Sequence, residues 1–441
     1  MARAFSWLQA TAIAGALALV PAATSATAAA DSDTYHELET FMTVFNRIKA
    51  SYVDKVDDKK LIRGAIDGML ASLDPHSSYV DAVDFQNMQI LTTGNYGGLG
   101  LTVTMQDGAV KVIAPQEDTP ASRAGIKSGD FITHIDGKLI FGETLDEAIS
   151  SMRGTPGTPI KLTLVRPGRD KPIDVALVRE VIVTKPVKWE VRDGIGYINV
   201  NTFSETTGQD VRAAIYNIDK SLGHKPLGYV VDLRDNGGGL LSQAIEVSNA
   251  FLSSGEIVSQ RGREKDDIQR YYAKPGGDLT NGLPVIVLIN AGTASASEIV
   301  AGALQDHHRA LIMGERSFGK GSVQTLLQLG PDSALRLTTA RYFTPSGRSV
   351  QEGGIRPDIA VPQISDPDYK SRPVFREADL RKHLVNEVKA DNPILEEDTR
   401  TDPRFAATPD ELKKRGVTDF QLYYALQTIG RLSRGPAVAK R

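Results

Sequence analysis

The chain has 441 residues, 41% of them hydrophobic and 24% charged, which at about 100–200 residues per domain means two to four folded units with real cores. Lys and Arg total 51 against 54 Asp and Glu, a formal net charge of −3, so binding of nucleic acid through bulk positive charge is disfavoured. Cysteine is absent, which excludes disulfides, thiolate nucleophiles and cysteine-based metal sites, and only His307 and His308 of the seven histidines are adjacent, a weak basis for a histidine metal site.

Residues 1–30 hold one charged side chain, Arg3, then a mostly apolar run over Ala10–Val20, then Pro21 and small residues to Ala30. That is the layout of a secretory signal peptide, cut near Ala28–Ala30. As a retained anchor the run is short for ~30 Å of hydrocarbon. Export to the periplasm is expected, with membrane association if the segment is kept.

Segment 31–90 reads as helical. Phe41, Val44, Phe45, Ile48 and Tyr52 recur at helical spacing, as do Ile62, Ile66, Met69, Leu70 and Leu73. Asp74-Pro75-His76-Ser77 stops the second helix, and His76 beside the Pro turn is read as structural.

Segment 91–182 is strand-rich. Leu101–Thr104, Ala109–Ile113, Asp130–Ile135, Lys161–Val165 and Ile173–Val178 alternate or carry β-branched residues. Pro120–Ile126 is a short helix. Thr144–Met152 is an amphipathic one, opened by a capping box of Thr144 and Glu147.

Segment 183–365 alternates strand and helix. Strands are expected at Gly196–Val200, Tyr229–Leu233, Pro284–Asn290, Ala310–Met313, Val323–Leu329 and Ala334–Arg341, with helices at Glu205–Leu222, Leu240–Leu252 and Ser295–Asp306. Such alternation implies parallel crossovers. In segment 366–441, Asp391–Asp410 reads as a linker and Asp419–Arg434 as a helix whose Leu422, Tyr423, Leu426 and Ile429 could dimerise or pack on the core.

Two Gly-bearing strand-to-helix turns, Asp235–Gly239 and Ala291–Ser295, could each aim backbone N–H groups and a helix dipole at an oxyanion. The second carries Ser295, a potential nucleophile in need of a base. His307 lies twelve residues along the same helix, about 18 Å away at ~1.5 Å per residue, out of reach. His134, His224 and a buried lysine stay open, and Lys320 between Gly319 and Gly321 is one such lysine. Gly314–Gly321 is one residue short of a phosphate-binding loop, with Gly321 where Ser or Thr should hold magnesium. Ser317-Phe318-Gly319-Lys320 matches S-x-x-K, but the companion S-D-N and K-T-G motifs are missing from the sequence.

Gly292-Thr293-Ala294-Ser295-Ala296-Ser297-Glu298-Ile299 followed by Gly319-Lys320-Gly321-Ser322-Val323-Gln324 resembles the carboxyl-terminal processing peptidases, or tail-specific proteases. Leu73–Ser77, Gly98–Leu101, Asp232–Gly238, Tyr342–Gly347 and Gly354–Ile359 resemble further signatures of that family, in order, from about Tyr35 to Val361. The resemblance implies an α/β core of ClpP/crotonase-like βα units, an inserted PDZ domain, and helical N- and C-terminal segments. It implies Ser295 as nucleophile, Lys320 as general base, and Gln324 as the residue that orients the lysine. A turn or helical segment must then bring Gln324 near, since four residues of straight strand span ~13 Å. Ser297, the rival serine, lies two residues into the helix and is turned away. By the same resemblance the N–H groups of Gly238 and Ala296 form the oxyanion hole, in a turn that has Gly237 where the family usually has Pro.

Gly98, Leu99, Gly100 and Leu101 resemble the loop with which PDZ domains hold a peptide's C-terminal carboxylate. Leu99, Leu101 and the helix Thr144–Met152 would line an apolar side-chain pocket. The implied substrates are proteins or peptides with flexible apolar C-termini. No metal or cofactor is required. The resemblance also implies self-association and an adaptor lipoprotein as partners. Arg153 is a contact for gating by the PDZ module or a solvated surface residue. The alternative to an endopeptidase is a non-catalytic PDZ scaffold with a decayed hydrolase core.

Overall fold

The structure, a computed structural model, describes residues 32–433 except 107, 170, 332, 370 and 387–404. The expected signal peptide and most of the expected linker lie outside the described residues. The described residues fall into two compact bodies, divided between Ile66 and Asp67. The first contains the helix Ser32–Ser51 and the start of the helix Asp58–Leu73. Lys49 pairs there with Asp58 at 2.7 Å.

In the second body the strand-rich module is a six-stranded antiparallel sheet. Its strands are Leu101–Gln106, Ala109–Pro115, Phe131–Ile135, Lys138–Leu139, Pro159–Val165 and Ile173–Val178. The helix Leu145–Met152 packs on it, and its capping box is present as expected from Thr144 and Glu147. Val110, Val112, Ile132, Leu162 and Leu164 are fully buried beneath. Chain enters through Asn95–Gly98 and leaves through Glu180–Val183, which pair with each other.

The α/β core is a six-stranded sheet in the order Val187–Arg192, Ile195–Val200, Tyr229–Asp232, Val285–Ile289, Leu311–Gly314, Ile359–Ala360, parallel from the second strand onward. Its central strands are covered on both faces, which is why they read as unbroken apolar runs. Val285, Val287 and Ile289 face a core built with the helices Thr207–Leu222, Leu241–Asn249 and Ala296–Asp306. Ile286 and Leu288 alternate to the other face and pack on the helix Phe420–Leu432. The apolar stripe of that last helix therefore lies on the core: Leu422 and Ile429 are buried among Val230, Ile286 and Leu288.

A second, five-stranded sheet holds the hairpin Ser322–Gly330 and Ser333–Phe343, the strands Glu256–Arg261 and Ile268–Tyr272, and the short strand Ser78–Val80. The sequence reading lacks the Glu256–Tyr272 pair, the edge strand Val187–Arg192 and the helix Ala82–Thr93. The first is hidden by exposure of Ile268–Tyr272 and a charged connection. The helix had legible ends: Asp81 caps Val83 and Asp84, and Gly94 closes it at φ 72°.

Candidate active site

Strands Tyr229–Asp232 and Val285–Ile289 are parallel neighbours, so the turns that follow them open at the same edge of the sheet. Thr293 Oγ1 donates to the Leu233 carbonyl at 2.8 Å, and Ala294 N–H and Ser297 Oγ donate to the Asn236 carbonyl at 3.0 and 2.9 Å. Asn236 is itself fixed by Nδ2 to the Val200 carbonyl at 2.7 Å. Gly238, at φ 101°, touches the serine turn so closely that a β-carbon there would stand 2.9 Å from the Ala294 carbonyl, Ala296 N and Ser295 Cβ. Only glycine fits that conformation in that space.

Ser295 stands at the N-cap of the helix Ala296–Asp306 with φ 56° and ψ −116°. For a side-chain-bearing residue this costs about 1–3 kcal/mol and persists only where the surroundings impose it. The imposing group is Glu298. Its carboxylate, 0% exposed, accepts the N–H of Ser295 at 2.8 Å, of Gly319 at 2.7 Å and of Lys320 at 2.9 Å, and the Ser317 hydroxyl. Burial pushes the Glu298 carboxyl up to about 7, while these donors oppose the rise. Phe318 N–H adds a bond to the Thr293 carbonyl at 2.9 Å. The serine turn and the lysine loop are thus tied by main-chain groups.

Lys320 is enclosed by protein and reached through a cavity. That enclosure lowers its ammonium to about 8; Glu377, Glu298 and Asp74 pull it back up and Arg336 adds to the fall. Its Nζ donates to the Ser322 carbonyl at 3.3 Å and to Gln324 Oε1. Gln324 Nε2 donates in turn to Ser322 Oγ at 3.0 Å and Thr338 Oγ1 at 3.1 Å. Neither a turn nor a helical segment brings Gln324 to the lysine. Lys320 precedes the strand, and a register shift between Val323 and Gln324 re-aims the side chain.

Ser295, Lys320 and Gln324 line one cavity of about 530 Å³, together with His76, Gly238, Arg336 and Tyr342. Burial raises the Tyr342 phenol above its ordinary value, and the Ser295 side chain beside it opposes the rise. Ser297 is fully buried and bonded to the neighbouring turn, away from the cavity. His307 is spent on the Glu256 carbonyl at 2.6 Å. The Gly238 N–H donates to Asn236 Oδ1 at 2.9 Å, so the expected pair of oxyanion donors is not presented together in this arrangement. Ala296 opens the helix, where the first N–H groups have no partner within it.

His76 is more than a helix stop. It faces the cavity, and its Nε2 lies 2.9 Å from each carboxylate oxygen of Glu377. Of the site groups missed in the sequence, Glu298 had a signal, the S-x-x-E capping spacing from Ser295. Tyr342 opens the signature Tyr342–Gly347 but carries no role of its own there, and Glu377 had no signal, because only the tertiary fold brings it in.

Gly98, Leu99, Gly100 and Leu101 line a separate cavity of about 130 Å³ with Tyr96, Val103, Ile149, Met152 and Arg153. The expected loop and helix face are thus brought together. Arg153 is not a solvated surface residue: it is half-buried against this cavity, its guanidinium 5.3 Å from the centre of the Tyr96 ring.

Residues 194–361 match peptidase family S41, residues 97–177 a PDZ domain, and residues 4–83 the N-terminal domain of the activating protease CtpB. The chain is 53% identical to a carboxy-terminal-processing protease of Bartonella bacilliformis over 375 residues, covering 85% of this chain and 86% of the relative. It is 37% identical to the carboxy-terminal processing protease CtpA of Bacillus subtilis, covering 75% and 69%. A solved structure, the photosystem II D1 C-terminal processing protease, is 29% identical, with a TM-score of 0.43 over 74% of this chain and 93% of that one. With matches of this length and identity, the chain belongs to peptidase family S41, as a serine-type carboxy-terminal-processing peptidase that carries a PDZ domain.

Proposed function

We propose that this protein is an exported endopeptidase that takes substrates by apolar C-terminal tails and cleaves them with Ser295 as nucleophile and Lys320 as general base. The observation that carries this reading is the convergence of Ser295, Lys320 and Gln324 on one cavity, with the lysine depressed by enclosure to about 8. A neutral lysine has two N–H donors and one lone pair. The Ser322 carbonyl and Gln324 Oε1 engage donors, which leaves the lone pair to accept the Ser295 proton.

The serine oxygen then attacks a peptide carbonyl carbon. The carbonyl oxygen becomes an oxyanion, stabilised by the Ala296 N–H and by the Gly238 N–H once Asn236 releases it. Collapse of the intermediate breaks the C–N bond, and the protonated lysine gives its proton to the leaving amine. Water, deprotonated by Lys320, hydrolyses the acyl-serine and frees the new carboxylate. The chain's own residues supply every proton transfer in this scheme.

Selection rests on the second cavity. An added peptide strand with its carboxylate at Gly98–Leu101 would place its last side chain against Leu99, Leu101, Ile149 and Met152. Peptides with apolar C-termini are expected to be cleaved in preference to those ending in charge. Export rests on residues 1–30, and the mature N-terminus, read by mass spectrometry, is expected near Ala28–Ala30. The decisive experiment is Lys320→Ala: turnover of an unstructured apolar-tailed peptide is lost while thermal unfolding shows an intact fold. Wild-type turnover by that variant refutes the base assignment.

A further inference from the structure

The segment that follows the peptidase-family match, which ends at residue 361, returns to the site. At the single-turn helix Glu377–Asp379 it lies along the loop that carries Lys320. Arg376 Nη1 donates to the carbonyls of Arg316 at 2.8 Å and Ser317 at 2.9 Å. Glu377 N–H donates to the Phe318 carbonyl at 3.1 Å. On the far side of the lysine, Gly321 N–H donates at 3.0 Å to Gln351 Oε1, and Gln351 Nε2 donates at 3.1 Å to Glu377 Oε1. The loop is therefore gripped before Lys320 by Arg376 and Glu377, and after it by Gln351, which Glu377 holds.

Glu377 is itself 0% exposed. A buried carboxylate persists only with strong partners, and its partners are His76 Nε2, 2.9 Å from both oxygens, and Gln351. His76 is held from behind, its N–H on Asp74 Oδ1 at 2.8 Å and its carbonyl accepting from Arg336 Nε at 3.1 Å. Burial works to raise the Glu377 carboxyl, but bonds from His76 and Gln351 and the charge of Lys320 hold it below its ordinary value. It stays ionised where the peptidase would act.

We infer that Glu377 is a positioning residue for Lys320: through Phe318, Gln351 and His76 it fixes the lysine loop, and it sets one negative charge behind the amine. This rests on the reading of Lys320 as the base. A full hydrogen-bonding role in packing alone needs no charge at this place, whereas the field of a carboxylate favours the ammonium and delays its deprotonation. The other charged groups facing Lys320 are Glu298, Asp74 and Arg336, and all three are present in wild type and in Glu377→Gln alike.

The test is the pH dependence of kcat/KM for an unstructured apolar-tailed peptide, measured on the full chain as wild type, Glu377→Gln and Lys320→Ala. Glutamine keeps the size and the oxygen that accepts from His76 and Gln351. The expected result is that Glu377→Gln moves the acidic limb to lower pH and lowers the plateau about tenfold through a looser lysine, while Lys320→Ala is inactive. A Glu377→Gln profile that superimposes on wild type, with Lys320→Ala inactive, overturns the inference and leaves the Ser295–Lys320 pair standing. Wild-type turnover by Lys320→Ala overturns both. Should Glu377→Gln not fold, His76→Gln is read instead. It takes the imidazole off the carboxylate, leaves that charge less compensated and moves the limb to higher pH, and an unmoved limb overturns the inference.

Discussion

Lys320 donates to Gln324 Oε1, four residues along its own chain, and not to Ser295. The bond is made possible by the register shift that precedes Gln324, and Gln324 is locked by Ser322 and Thr338. With its donors so occupied, an unprotonated Lys320 aims its lone pair in one direction, as the proposed general base requires. Gln324→Leu removes that constraint. The expected outcome is a fall in kcat of about a hundredfold, within the range of general-base effects, with KM little changed. Steady-state kinetics on an apolar-tailed peptide check it, and unchanged kcat refutes the orienting role.

Glu298 joins Ser295 to Lys320 by accepting from the main chain at both. Glu298→Gln puts an amide donor among four donors, so at least one N–H or the Ser317 hydroxyl loses its acceptor. An unsatisfied buried group costs about 1–3 kcal/mol. The variant is expected to melt earlier and to react slowly with a fluorophosphonate label on Ser295. Equal melting and labelling to wild type would show that the carboxylate is dispensable.

These two groups also mark how far the sequence could be read. The core strands were legible because both faces of Val285–Ile289 are buried, which leaves a five-residue apolar run with no competing interpretation. The turn at Ser295 was legible because Gly and a capping serine sit between such a strand and a helix. Glu377 was not, since nothing local distinguishes it from a solvated glutamate, and its 0% exposure depends on His76, 301 residues away. Gln324 meets Lys320 through a β-bulge and not through the expected turn or helical segment, because a β-bulge leaves no composition signal. The terminal helix had an apolar stripe with two possible partners, and the depth of Ile286 and Leu288 beneath it decides for the core.

The lysine should make the folded protein less stable at neutral pH than it could be. Its ordinary value of 10.5 falls to about 8 on folding, so between those values the unfolded chain binds more protons and stability rises with pH. Below about 8 the whole cost is present, about 3 kcal/mol for the shift. Lys320→Met is expected to be more stable than wild type at pH 7 by about 1–3 kcal/mol, the gap closing as pH rises from 8 to 10.5. Denaturant melts at pH 7 and pH 10 check this. A gap that widens with pH contradicts a depressed lysine.

The cavity proposed to take tails and the cavity that holds Ser295 share no lining residue, so the two proposed roles should separate in kinetics. Val103 lines the PDZ cavity of about 130 Å³, and Val103→Trp fills it. KM for an apolar-tailed peptide is expected to rise about tenfold, the scale of one hydrophobic side-chain contact, with kcat at saturation unchanged. A rise of the same size for a peptide ending in charge would assign the effect to something other than tail recognition.

Gly237 and Gly238 are neighbours with opposite demands. A β-carbon on Gly237 meets nothing within 4 Å, and its φ is not in the left-handed region. Gly237→Ala should therefore stabilise by about 0.4–1 kcal/mol, through lost freedom of the unfolded chain, and keep the turn's activity. On Gly238 the same atom would stand 2.9 Å from the Ala294 carbonyl, Ala296 N and Ser295 Cβ, at a φ of 101°. Gly238→Ala must push the serine turn aside, and is expected to lose both stability and turnover. Thermal melts and peptide cleavage on the two single variants decide it. If both behave alike, the close approach of Gly238 to Ser295 does not hold the site together.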